Sequence, residues 1–178
     1  MNRRLHSNSQ GFTLIELLIV VAIIGIIASM LIPNMLDAMQ KTKQKRTMAD
    51  MRIAGGAMFS WLTDQVGAAA AGQASTQINL ANYGGQKTIA DLQAVLVPTY
   101  LQDIPAKDGW KSAYNYYLNT ANPHSRSVMA IRSTGRDSQV SGSGIYTVTG
   151  FDPTDYDQDV VWADGFMVRW PEALKRTP

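Results

Sequence analysis

The sequence contains no cysteine, which removes disulfides, thiolate metal sites and cysteine nucleophiles together and leaves the redox compartment open. Imidazole is nearly as scarce, with His6 and His124 the only two histidines. Charged residues make up 17%, and the formal net charge of +2 is contributed by Arg3 and Arg4, since the remainder of the chain balances. A pI near 8.9 therefore carries no argument for nucleic acid, and no nucleic-acid partner is expected. At 178 residues the chain holds one compact domain plus an appendage rather than several domains. Hydrophobic residues reach 46% while the mean hydropathy is only −0.11, so the apolar residues must be concentrated somewhere.

They are concentrated near the front. From Phe12 to Pro33 the chain reads FTLIELLIVVAIIGIIASMLIP, with Glu16 the only charge. A helix of about 20 apolar residues crosses the roughly 30 Å hydrocarbon layer, so this run reads as a membrane span. Arg3 and Arg4 ahead of it keep that end cytoplasmic and point the rest of the chain outward. No A-x-A-like cleavage triplet follows Ile32, which argues against removal of the whole segment as a secretory signal. Glu16 is the residue that a plain span leaves unexplained, because a carboxylate inside an apolar helix costs on the order of 2.5 to 3.5 kcal/mol without a partner. Two readings are open: Glu16 snorkels to the headgroups, or cutting the Gly11-Phe12 bond creates an α-amino cation one turn away, in the same chain or a neighbour.

Gly11 followed by FTLIELLIVVAIIGIIASMLIP resembles the amino-terminal signature of type IV pilins and type II secretion pseudopilins. The resemblance implies cleavage after Gly11 by a prepilin peptidase, N-methylation of Phe12, and assembly into a helical filament in which Glu16 pairs with a Phe12 amino group across a subunit contact. It also gives Gly25 and Pro33 a place in the assembly helix, and implies that the helix between them melts in filaments. By its chemistry alone, Pro33 removes the hydrogen bond to the Ser29 carbonyl and predicts a kink.

Beyond Pro33 the pattern turns amphipathic, with Met35, Leu36, Met39, Met48, Met51, Ile53, Met58, Phe59 and Leu62 near helical spacing. One helix over residues 12–64 is predicted, of which 12–35 forms the membrane and assembly half and 36–64 the amphipathic half. Gly55 and Gly56 are its weak point. The basic cluster Lys41, Lys43, Lys45 and Arg46 reads as a solvated helix face. Residues 67–75, GAAAAGQAS, suit a surface connection. TIADLQAVL predicts a short helix ending before Pro98, residues 114–118 and 127–132 predict strands, and VVWADGFMVRW predicts a hairpin turning at Asp164-Gly165. The expected fold is α+β: a long N-terminal helix packed on a small antiparallel sheet, as in type IV pilins, with residues 65–178 forming a periplasmic globular domain.

The run LVPTYLQDIPAKDGWKSAYNYYL, residues 96–118, resembles the major, G-type pseudopilin of type II secretion. Asp137, Asp152, Asp155, Asp157, Asp159 and Asp164 also crowd six carboxylates into a stretch without lysine or arginine. Calcium, which takes six to eight oxygen ligands, is a cation that relieves such repulsion. The G-type resemblance implies a calcium site here, with Ser133, Asp137, Asp157 and Asp159 as ligands and Asp152 and Asp155 as substitutes. No EF-hand spacing is present. Catalysis is not expected: the aspartates lie among Gly, Ser and Thr with little to desolvate them, and His124 follows Pro123 in a turn-like segment. Trp61, Trp110, Trp162 and Trp170 read as core or subunit-contact residues.

The resemblance implies a structural subunit of a type II secretion pseudopilus, anchored by a single pass in the bacterial inner membrane. Its implied partners are further copies of itself, the peptidase, an inner-membrane assembly platform and minor pseudopilins. A type IV pilin of a surface fibre for adhesion, motility or DNA uptake is the second expectation, and a membrane-anchored calcium-binding receptor module the third. Lack of the carboxy-terminal cysteine pair found in many type IV pilins favours the first.

Overall fold

A computed structural model describes residues 11–66 and 76–172. The leader residues before Gly11 and the small-residue connection at 67–75 lie outside the described residues. The chain divides into two units, Met1–Ala38 and Met39–Pro178.

One helix, α1 (Leu14–Val66), supplies the described regular structure of the first unit and the opening of the second. It runs through Gly25 and Pro33 as α-helix in the single chain; the melting implied for that stretch concerns the filament. In the first unit its apolar side chains are exposed on every side, from Phe12 at 88% to Ile32 at 56%. A helix that is apolar all round has no single core-facing stripe.

In the second unit α1 changes character. Gln44, Thr47, Met51, Ala54, Gly55, Ala57, Met58, Trp61 and Leu62 are buried. Of the expected stripe, Met51, Met58 and Leu62 are in the core and Met48 and Phe59 at its margin, whereas Met35, Leu36, Met39 and Ile53 stay exposed. The buried stripe runs through small and polar residues that a hydropathy count passes over. Gly55 shows why: a Cβ there would fall within 2.5–2.7 Å of the Trp162 indole, so the helix backbone itself is the packing surface.

The remaining elements are β1 (Gln77–Asn79), a 3₁₀ turn (Leu80–Asn82), β2 (Gln86–Lys87), α2 (Ile89–Leu96), β3 (Asn115–Leu118), β4 (Met129–Ser133), β5 (Ile145–Thr147), β6 (Thr149–Phe151), β7 (Val160–Ala163) and β8 (Phe166–Pro171). Helix α2 starts at a reciprocal capping box, Thr88 with Asp91. Strands β2-β3-β4-β7-β8-β6 form one sheet and β1-β5 a second, two-stranded one. The hairpin turns at Asp164 and Gly165 (φ 46° and 103°), with Ala163 opposite Phe166, as its Asp-Gly dipeptide predicts.

The sheet is not wholly antiparallel: β6 pairs with β8 in parallel. The chain between β4 and β7, residues 134–159, is long enough to place two strands elsewhere before returning, which a reading based on short connections misses. Alternation along the strands separates two cores. Tyr116, Leu118, Met129, Ile131, Val160 and Trp162 face α1 and α2. Tyr117, Ala130, Val161, Ala163 and Val168 face the other way, against Ile78, Leu80, Tyr83 and Tyr146.

Candidate functional site: the helix start and the acidic loop

At the start of α1, Phe12 is exposed and nothing lies within 4 Å of a Cβ added at Gly11. Thr13 donates its backbone N–H (2.9 Å) and its hydroxyl (2.7 Å) to Glu16 Oε2, and the Glu16 N–H donates to Thr13 Oγ1 at 3.3 Å. This is a capping box written Thr-x-x-Glu ahead of an apolar run. It was legible in TLIE, residues 13–16, and gives Glu16 a third role beside snorkelling and pairing with a new amine. Farther along, Ser29 Oγ donates to the Ile26 carbonyl at 2.7 Å, one turn before Pro33. Gly25, like Gly11, has no neighbour within 4 Å of an added Cβ.

The expected calcium ligands do not converge. Ser133 pairs in register with Val160, so strand alternation sends Ser133 and Asp159 to opposite faces. Ser133 Oγ donates to buried Asp108 at 2.6 Å. Asp157 accepts two bonds from Arg136, at 2.8 and 2.7 Å, and that guanidinium holds its carboxyl below the usual range. Asp137 accepts from the Gln139 N–H. Asp152 caps Thr154, and Asp155 accepts from Gln158 Nε2. Among the described residues no three of His, Cys, Asp or Glu form a metal-holding group.

Asp159 stands apart. It is fully buried, and its Oδ2 accepts from the Tyr146 hydroxyl and the Ser141 N–H. Its Oδ1 is buried without a hydrogen-bond partner. Desolvation pushes its pKa up, against the pull of those two bonds and of Arg132, while Asp137 adds to the rise. A buried, incompletely satisfied carboxylate fits a cation, and oxygen-only donors suit calcium. The Asp159 Oδ1 therefore fits one ligand of such a group, whereas Ser133 and Asp157 are engaged elsewhere.

Charge relief also comes from arginines that the linear run did not include. Arg136 closes on Asp157, and Arg132 bonds Asn115 Oδ1 at 2.9 and 3.1 Å and lies within reach of Tyr146. Two further aspartates are architectural: Asp108, to which the sequence reading gave no role, and Asp164 of the expected hairpin turn. Asp108 gathers the Trp110 and Ser112 N–H groups and the Ser133 hydroxyl, fixing the DGW turn. Asp164 accepts from the Tyr83 hydroxyl at 2.7 Å and from the Val128 and Met129 N–H groups, locking the hairpin turn to the β3–β4 connection. His124 is exposed.

Residues 6–32 match the family model described as the prokaryotic N-terminal methylation motif. The chain is 27% identical to type II secretion system core protein G of Vibrio cholerae over 134 residues, which cover 75% of this chain and 85% of that protein. With these matches the long helix, the sheet on its second half and the helix start fall into one pattern. The fold is type IV pilin-like.

Other relatives match locally. This pilin-like chain is 39% identical over 62 residues to the type IV major pilin protein PilA of Myxococcus xanthus, 35% of this chain and 28% of that one. It is 65% identical over 34 residues to the type IV wide pilus major component PilA4 of Thermus thermophilus, 19% of this chain and 26% of that one. It thus spans little more than a quarter of either pilin. No solved structure matches the chain.

Proposed function

We propose that the chain is a structural, non-enzymatic subunit of a type II secretion pseudopilus. It is cut after Gly11 by a prepilin peptidase, methylated at Phe12, and polymerised from the inner membrane into a periplasmic filament that drives export. The observation that carries the choice is the extent of the relationship to core protein G, 85% of that protein's length, where the matches to the two pilins are local. The exposed apolar front of α1, with a mean hydropathy of 2.9 over 18 residues, supplies a surface that is stable only in lipid or against further copies.

In this reading the new Phe12 amine competes with Thr13 for the Glu16 carboxylate. The mature chain should begin at Phe12 with the apolar helix retained, which mass spectrometry of membrane-extracted protein reads directly. A mature chain beginning beyond Pro33 would overturn the reading, and filaments on the cell surface rather than in the periplasm would favour the pilin alternative.

Calcium belongs to the proposal through Asp159, whose unpartnered Oδ1 would hold it; bound there, the cation would supply charge relief to the buried carboxylate. A ligand that binds the folded state alone stabilises it by about 2.7 kcal/mol at a hundredfold excess over Kd. Detergent-solubilised protein should melt higher in calcium than in chelator, and Asp159→Ala should remove the difference. Equal melting would leave Arg132 and Arg136 as the cations of this loop.

A further inference from the structure

Gly56 lies on the exposed side of α1, and nothing stands within 4 Å of the position its Cβ would take. Glycine inside a helix costs about 1 kcal/mol relative to alanine. Its neighbour Gly55 is explained by the Trp162 ring; Gly56 has no such reason within its own chain. It lines an open groove of about 390 Å³ together with Arg52, Phe59, Trp162, Phe166 and Met167. Arg52 is exposed and makes no hydrogen bond or ion pair among the described residues. Ile53, beside it, is 56% exposed.

Among the described residues beyond Met39, the large hydrophobic side chains exposed apart from Ile53 are Val140 (47%) and Ile145 (45%). Both belong to the loop and short strand between β4 and β6. Val140 lines a shallow depression together with Tyr117 and Arg132, whose side chains occupy the sheet face turned away from α1. The groove instead contains Trp162, on the face packed against α1. The two apolar patches therefore lie on opposite faces of one sheet. Their charges are complementary: Arg52 borders the groove, and exposed Asp137 sits three residues before Val140.

We propose that the Gly56 groove receives the Val140–Ile145 loop of a second copy of this chain, with Arg52 of one copy facing Asp137 of the next. Different patches on opposite faces cannot satisfy each other by a two-fold axis; they join head to tail, and a head-to-tail contact that does not close into a ring propagates as a filament. The absent side chain at position 56 lets the incoming loop reach the helix backbone, which is the return on its helical cost. The inference rests on the filament reading and assigns that filament a contact between globular units.

The absence of cysteine makes a clean test available. Gly56→Cys and Val140→Cys are introduced separately and together into the full chain, and filaments assembled in cells are treated with a mild oxidant. The double variant should give a ladder of disulfide-linked dimers and higher oligomers, and each single variant should remain monomeric on a non-reducing gel. Gly56→Leu, whose Cβ has no atom of its own chain within 4 Å and whose side chain fills the groove, should preserve the melting temperature of the solubilised protein and reduce filament yield. Filaments that form normally with Gly56→Leu and show no ladder in the double variant would overturn the proposed contact. A dimer from Gly56→Cys alone would overturn it in favour of a two-fold contact. Failure of the parent chain to form filaments at all would overturn the pseudopilin reading instead.

Discussion

Helix α1 obeys two different rules along its length. Before Ala38 its leucines, isoleucines and valines are about half to nine-tenths exposed, in no particular direction. After Met39 a stripe of Gln44, Thr47, Met51, Ala54, Gly55, Met58 and Trp61 is buried, although its members are smaller and more polar on average. Hydrophobicity alone would invert the two halves. What distinguishes them is the surrounding medium: the front is suited to lipid or identical neighbours, where any apolar side chain serves, while the back must match the contour of a particular sheet, where shape decides.

The sharpest way to break this contrast is Trp162→Ala. The indole fills the space that Gly55 leaves open, so its removal empties the middle of the helix-facing core and should cost about 3–5 kcal/mol. The thermal midpoint of the solubilised protein should fall by about 10 °C or more, while cleavage after Gly11 and membrane insertion proceed as in the parent. A loss of processing together with the lost stability would mean that the two halves are not independent.

Glu16→Ala probes the opposite half. The variant removes both the capping box with Thr13 and the partner proposed for the Phe12 amine. Loss of a cap costs about 0.5–2 kcal/mol locally, and deletion of a charge makes the span easier to insert. Filament yield should collapse while the melting of the globular unit stays unchanged. Thr13→Ala separates the two roles, because it removes the hydroxyl that makes the cap reciprocal but leaves the carboxylate; assembly should survive it. Equal assembly defects in both variants would assign Glu16 to the cap alone.

The legible parts of this molecule were those governed by local chemistry. The apolar run at 12–33, the Thr88 start of α2 and the Asp164-Gly165 turn each announce themselves within a few residues. The parallel pairing of β6 with β8 and the strands β1, β2 and β5 did not, since each is only two or three residues long and its partner lies far along the chain. The surroundings of the implied metal ligands were hidden for a related reason. The resemblance groups Ser133 with Asp159, but the register Ser133–Val160 turns them to opposite faces, and Arg136, just outside the acidic run, takes Asp157. The Thr13–Glu16 box was readable and was overshadowed by the question of a charge in a membrane.

Asp164 offers the smallest expected effect and one confined to the globular half. Burial raises its pKa from 3.8, opposed by its bonds from Tyr83, Met129 and Val128. A carboxyl whose pKa is raised on folding binds its proton more tightly in the native state, so stability declines as pH rises from the unfolded value near 3.8 through the folded pKa, then levels off. Arg136-paired Asp157, whose pKa is lowered, has the opposite sign: its contribution is present above the unfolded value and is lost as pH falls through the folded one. Melting curves of the parent, Asp164→Asn and Asp157→Asn across this acidic range should therefore diverge in opposite directions. Asp164→Asn should remove the decline with rising pH, and Asp157→Asn should remove part of the loss on acidification. Parallel curves for all three proteins would show that neither carboxylate changes its proton affinity on folding, and would detach the hairpin latch from the burial that is here held responsible for it.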